Sequence, residues 1–222
     1  GLVYLVGQTG GQWVTPGFTV IDGRAGTVLQ AYDAFAAIYG TTRGVFAEGL
    51  HKIFTLSEGL SPADVYATTV DPASALLLTT VDSPYHGDYN MGNPMWLSAN
   101  ADLLFTATGN YFRTSDLRYA GTLGSSVQSV SHSISADELL ATPGSSSYVY
   151  PGGYQVQYAA ALKRYTGSLL FPAADLALPK LIGAQAYGIA VFHRADDRRV
   201  VLVQTGSNVS QAIDAQYYLI LQ

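Results

Sequence analysis

Lys52-Ile53-Phe54-Thr55-Leu56-Ser57-Glu58-Gly59 reads as a short apolar strand that runs into a small polar turn. The same unit occurs as Val3-Tyr4-Leu5-Val6-Gly7-Gln8-Thr9-Gly10 and as Leu103-Leu104-Phe105-Thr106-Ala107-Thr108-Gly109. It returns as Leu139-Leu140-Ala141-Thr142-Pro143-Gly144 and as Val200-Val201-Leu202-Val203-Gln204-Thr205-Gly206. The closing glycines Gly10, Gly59 and Gly109 recur at a period of about 50 residues, and Gly206 follows about two periods later, with Gly144 arriving early. Runs rich in Val, Leu, Tyr and Thr, bounded by Gly, Pro, Asn or Asp, are strand chemistry. Helical periodicity is weak, and its best candidate, Tyr32–Tyr39, is short.

A second unit is a hairpin with a polar turn: Val20-Ile21-Asp22-Gly23-Arg24-Ala25-Gly26, then Val70-Asp71-Pro72-Ala73-Ser74-Ala75. Further copies run from Arg113 to Leu123 and from Lys163 to Leu170, which makes Gly26, Ala75, Gly121 and Gly167 the expected turn anchors. A third unit is a strand end followed by a turn bearing Asp or Asn: Trp96 to Asp102, Ser133 to Glu138, and Phe192 to Asp197. These features share one period. Each period holds four strands, here a to d from the ring centre outward.

Four strands in a period of about 40–50 residues are the signature of a β-propeller blade. The fold class is therefore all-β, a β-propeller of four-stranded antiparallel blades with about five blades represented. A β-sandwich is the competing architecture, but it gives no reason for a regular four-strand period. The expected organisation is one propeller domain or segment over 1–222, with blades near 1–35, 36–90, 91–126, 127–182 and 183–222. In repeat geometry and in the a–b turn the chain resembles bacterial propeller repeats of the YVTN and PQQ-like kinds. The tryptophan-docking pattern of PQQ enzymes is absent, so the resemblance implies no cofactor.

The chain opens on a b strand at Val3 and closes on a c strand, Gln216-Tyr217-Tyr218-Leu219-Ile220-Leu221. The expectation is b, c and d of a first blade, three full blades, then a, b and c of a fifth. Exposed sheet edges are avoided in proteins, so either remaining blades or a second copy are expected to complete the ring. The start at Gly1 is read as that of a trimmed or excised piece.

Charged residues make up 12% of the 222 residues and hydrophobic ones 48%, a balance that excludes disorder. A net charge of −5 excludes a coat for nucleic acid, which needs clustered Lys and Arg. No apolar run is long enough to span a membrane. The absence of Cys removes disulfides, thiolate metal sites and thiol nucleophiles. Three of the eleven basic residues are Lys, and a surface of Ser, Thr, Gly, Asn, Gln and Tyr fits an extracellular, periplasmic or cell-surface setting. Asn208-Val209-Ser210 matches a glycosylation acceptor.

In a propeller the d–a and b–c loops leave one face and the a–b and c–d turns the other. The expected loop face carries Trp13, then Tyr85, His86, Asp88 and Tyr89 in the second d–a loop, Asn110 with Tyr111, and Tyr148 with Tyr150 in a loop from Ser145 to Gly153. Aromatic rings with amides suit stacking on sugars or docking of a protein. The plainer reading is that the rings pack the loops onto the rim. Asp82, His86, Asp88 and Asn90 offer oxygen and imidazole groups for a metal or for acid–base work. Their spacing matches no standard metal loop, and a hydrogen-bonded turn accounts for them more simply, so no metal site is expected.

Asp33, Glu48, Asp82 and Asp88 are the acids expected on the loop face. His51, His132 and His193 read as structural. Arg198-Arg199 reads as a solvated turn pair. Neither a nucleophile elbow nor a phosphate loop is present. The expected function is a non-catalytic binding face for a carbohydrate or protein partner. The alternatives are a hydrolase or lyase with carboxylates around the channel, or a structural repeat segment of a larger surface protein.

Overall fold

A computed structural model describes residues 1–7, 17–33, 39, 43–57, 61–151, 153–207 and 217–221. The chain is a series of antiparallel sheets in chain order, the blade pattern of a β-propeller. The first sheet has three strands, β1 (Leu2–Gly7), β2 (Gly17–Asp22) and β3 (Thr27–Asp33). The second has four, β4 (Gly44–Ala47), β5 (Lys52–Leu56), β6 (Val65–Val70) and β7 (Leu77–Asp82). The third also has four, β8 (Met95–Leu97), β9 (Leu103–Thr106), β10 (Asn110–Arg113) and β11 (Tyr119–Thr122).

The fourth sheet follows the order β12 (Val127–Ser133), β13 (Glu138–Val149), β15 (Ala161–Thr166) and β16 (Phe171–Pro172). Off this path, β14 (Gly153–Tyr158) pairs with β13 and β17 (Leu176–Ala177) with β15. A small ribbon of β18 (Lys180–Leu181) and β19 (Ala184–Gln185) follows, then a sheet of β20 (Tyr187–His193), β21 (Arg199–Gln204) and β22 (Tyr217–Leu221). By chain contacts the molecule divides into two compact units, Gly1–Leu97 with Ala101–Gly121, and Ser98–Asn100 with Thr122–Gln222.

Strand alternation explains the packing inside the first unit. Side chains along β5 point to opposite faces in turn. Ile53 joins Phe18, Val20, Val70 and Leu77 in one apolar cluster. Phe54 and Leu56 join Val65, Ala67, Met95, Leu104 and Phe112 in another. Both faces of the second sheet are thus covered. Polar side chains key the first sheet to the second: Gln30 accepts from the Leu77 N–H (2.7 Å) and donates to the Leu77 carbonyl (2.9 Å). The Tyr4 hydroxyl donates to the Ala75 carbonyl (2.7 Å).

The turns repeat as the sheets do. Those joining first to second strand place His51, Ala101, Asp137 and Asp197 at positive φ. Those joining third to fourth place Gly26, Ala75, Leu117 and Leu170 there. The expected anchors Gly26 and Ala75 hold their positions. Gly167 also lies at positive φ in its turn, ahead of Leu170; Gly121 does not mark a turn, and Leu117 occupies the equivalent point. Gly121 lies in β11 beneath Tyr111, where a Cβ would collide with the tyrosine hydroxyl. A glycine in a strand commonly marks such a close approach. Gly144 does not end its strand either, because β13 continues to Val149 and pairs with β14. Tyr32 and Asp33 close β3 in place of the expected helix start, and 34–38, like Gly10, Gly59 and Asn208-Val209-Ser210, lie outside the described residues.

Arg199 also departs from the sequence expectation. It is a strand residue bound to a buried carboxylate, not a solvated turn residue. Glu138 Oε1 accepts from Arg199 Nε (2.7 Å) and lies 3.2 Å from His193 Nε2. Glu138 Oε2 accepts from Arg164 Nε (2.6 Å) and Arg199 Nη2 (2.9 Å). The Glu138 side chain is 1% exposed, so each oxygen needs these donors. Burial alone would raise its pKa, but the hydrogen bonds from Arg199, His193 and Arg164 outweigh burial and hold it down to about 2.

Between that value and the ordinary 4.5 the unfolded chain binds the extra proton, so this contribution to stability is present above about pH 4.5 and is lost as pH falls toward 2. Chemical denaturation at pH 5 and pH 3 is expected to show a steeper loss in the wild type than in Glu138→Gln. Glu138→Ala should cost about 3 kcal/mol at neutral pH, because two guanidinium groups lose their shared partner.

Candidate functional site

The connections β5–β6 and β7–β8 leave the second sheet at the same end, and their chemistry meets at Asp64. The ladder of β5 and β6 runs one pair beyond the strands. The Ser57 N–H donates to the Asp64 carbonyl (2.9 Å), and the Asp64 N–H to Ser57 Oγ (3.1 Å). On the other side the Ser83 N–H donates to the Val65 carbonyl (2.9 Å). Asp64 Oδ1 accepts from Ser83 Oγ and from the Val65 N–H (2.8 Å). Its second oxygen, Oδ2, accepts no hydrogen bond from the described residues, although its side chain is only 4% exposed.

His86 reaches back over this carboxylate, with Nδ1 3.3 Å from Asp64 Oδ2, and Asp82 closes the group. One ligand atom from each of Asp64, Asp82 and His86 lies within 4.8 Å of the others. Burial pushes the Asp64 carboxyl up, against hydrogen bonds from Ser83 and Val65 and the nearby His86. The sequence reading named Asp82 and His86 but did not count Asp64 among the loop-face acids. The signal was present, because Asp64 ends the b–c connection while Asp82 ends the neighbouring d strand. Asp88 and Asn90 are exposed and stand outside this group.

The tyrosines of the same loop turn inward. Tyr85 and Tyr89 meet edge to face with centroids 4.7 Å apart, and Tyr89 stacks on Tyr119 at 4.0 Å. Both also lie against Phe112 and the apolar cluster of the first unit. The Tyr85 hydroxyl accepts the Tyr119 N–H (3.1 Å). These rings therefore fasten the loop to the third sheet. Asn110 and Tyr111 open strand β10 and do not form a loop, since only 107–109 separate it from β9. Asn110 Nδ2 and Thr108 Oγ1 both donate to the Asn90 carbonyl (2.8 and 2.7 Å), so Asn110 ties down the preceding loop. Tyr111 is buried against Phe105.

The expected loop from Ser145 to Gly153 is mostly a β-hairpin, built by the extension of β13 paired with β14. Ser145, Ser146, Ser147, Tyr148 and Tyr150 are all exposed, with Tyr148 at 60% and Tyr150 at 85%. Trp13 lies outside the described residues. Glu48 sits in the short 3-10 turn between β4 and β5, at the opposite end of its sheet from Asp82, so it is not a loop-face acid. Asp33 ends β3. The histidines read as structural do serve the fold. His132 Nδ1 accepts the Ala99 N–H (3.1 Å), and His193 is bound to Ser131 and Glu138. A groove of about 530 Å³ beside Arg43, Phe46 and Pro94 has none of Tyr85, Tyr89, Tyr148 or Tyr150 among its described lining residues.

No family model matches the chain, and no curated protein matches it. Solved structures do match, and they are β-propellers in fold. Kluyveromyces lactis Hsv2 superposes with a TM-score of 0.55 at 11% identity, covering 99% of this chain and 69% of that one. Kuenenia stuttgartiensis hydrazine synthase gives 0.54 at 11% identity, covering 85% and 50%. A Bacteroides uniformis protein assigned as a 6-phosphogluconolactonase gives 0.52 at 12% identity, covering 100% and 66%. The chain thus spans half the length of the hydrazine synthase chain it matches. At such identities the likeness establishes the fold alone.

The Tyr85 geometry carries a direct consequence. Tyr85→Phe keeps the ring but leaves the Tyr119 N–H without its acceptor, and should cost about 1 kcal/mol in urea denaturation. No change in stability would show that the hydroxyl is not bound in this way.

Proposed function

We propose that the chain is a non-catalytic recognition module, a β-propeller that binds a carbohydrate or protein partner through the β13–β14 hairpin. The observation that carries this reading is the exposure of Tyr148 and Tyr150 beside three exposed serines. Tyrosine supplies large contact area with few rotatable bonds, and serine supplies adaptable hydrogen bonding. Large exposed rings at the tip of a hairpin present apolar area to solvent, and this exposure fits a role in binding. Tyr85 and Tyr89 are half-buried against Phe112 and Tyr119, so the reading rests first on the more exposed rings of the hairpin.

The repeat units belong, on this reading, with bacterial propellers of the YVTN and PQQ-like kinds, which the recurring four-strand geometry and its first-to-second-strand turn support. The low-charge, Ser-, Thr- and Tyr-rich composition supports a place on or outside a cell.

A glycan array and a displayed protein-fragment library, each probed with wild type and with Tyr148→Ala/Tyr150→Ala, test the proposal. The double variant is expected to remain folded, with a cooperative thermal transition, and to lose roughly tenfold or more in affinity. Absence of any ligand in both screens, or ligands indifferent to the two changes, would overturn it.

A further inference from the structure

We propose that Asp64, Asp82 and His86 form a binding site for a divalent transition-metal ion of the zinc or manganese class. The first support is geometric. The three residues place one ligand atom each within 4.8 Å of one another, and Asp64 Oδ2 stands 3.3 Å from His86 Nδ1. Ligands at about 2.0–2.1 Å from a tetrahedral ion are separated by about 3.3–3.4 Å along each edge. The Asp64–His86 pair already has that separation.

The second support is the state of Asp64 Oδ2. It is a buried carboxylate oxygen that accepts no hydrogen bond from the described residues. Such an atom forfeits its hydration and calls for a partner. His86 Nδ1 stands 3.3 Å from it, so a cation held between the two satisfies the oxygen and the imidazole nitrogen together. The rest of Asp64 is held in place: Oδ1 is bound by Ser83 Oγ and the Val65 N–H, which aims Oδ2 at His86. Hydrogen bonds of this kind orient metal ligands and fix their rotamers.

The donor set selects the class of ion. Calcium and magnesium take all-oxygen shells, whereas one imidazole with two carboxylates suits zinc, manganese and their neighbours. Because His86 is 71% exposed and Asp82 is also at the surface, the remaining coordination positions face solvent. A three-ligand ion with an open position binds water or an anionic group of a ligand. This site stands on the second sheet and is independent of the β13–β14 hairpin.

Isothermal titration of the metal-free chain with Zn²⁺, Mn²⁺ and Ca²⁺ tests the proposal. One Zn²⁺ or Mn²⁺ per chain is expected, with Ca²⁺ much weaker. At metal concentrations near a hundredfold above Kd the melting temperature should rise by about 5–10 °C. His86→Ala removes an exposed side chain and leaves the fold intact, so it serves beside Asp64→Asn; each should weaken binding by at least about tenfold. Failure to bind in one-to-one ratio, binding unchanged in His86→Ala, or Ca²⁺ bound as tightly as Zn²⁺ would each overturn it.

Discussion

The structure depends on strands that are buried on both faces. β5 sends Ile53 to one apolar cluster and Phe54 and Leu56 to another. β13 buries Leu139, Leu140 and Ala141 in succession, and β21 buries Val201 and Val203 on one face and Gln204 on the other. A strand of this kind cannot lie in a lone sheet, because one of its faces would meet water at a cost of roughly 25 cal/mol for every Å² left uncovered. Each sheet therefore requires neighbours of its own kind, and the sequence repeats for that reason. The same constraint accounts for the scarcity of Lys and Glu, since little of each sheet remains to be solvated.

Stacked sheets still need to be keyed, because apolar contact is non-directional. In the first unit Gln30 does this by pairing with both backbone groups of Leu77. In the second unit a charged hub does it. Glu138 of β13 collects Arg164 from β15, His193 from β20 and Arg199 from β21, and so ties two sheets together through one carboxylate. A buried charge surrounded by four donors accepts few alternative geometries. Ser129 and Ser131 continue the same seam with hydrogen bonds to Val191 and His193.

With strand interiors committed to packing, chemistry is left to the strand ends. The end of the second sheet assembles Asp64, Asp82 and His86, while the β13–β14 hairpin presents Tyr148 and Tyr150 to solvent. The loop between β7 and β8 shows how the two roles divide within one segment. Tyr85 and Tyr89 anchor it by stacking against Phe112 and Tyr119. His86, between them in sequence, is thereby held over Asp64.

The sequence alone determined the fold class, the four-strand period, the place of the short turns and the structural roles of His132 and His193. These follow from local patterns: alternation along one strand, and turn residues at a fixed offset from it. It assigned Tyr85, Tyr89 and Asn110 to a binding face, yet the structure turns the two tyrosines inward and uses Asn110 to hold a loop. It missed Asp64 and Glu138, and it read Arg199 as solvated. Tertiary structure decided these points because each depends on residues distant in the chain, such as Glu138 with Arg199 or Asp64 with Asp82. Which side chains converge is set by strand register and sheet stacking, and neither is encoded in the pattern of any single strand.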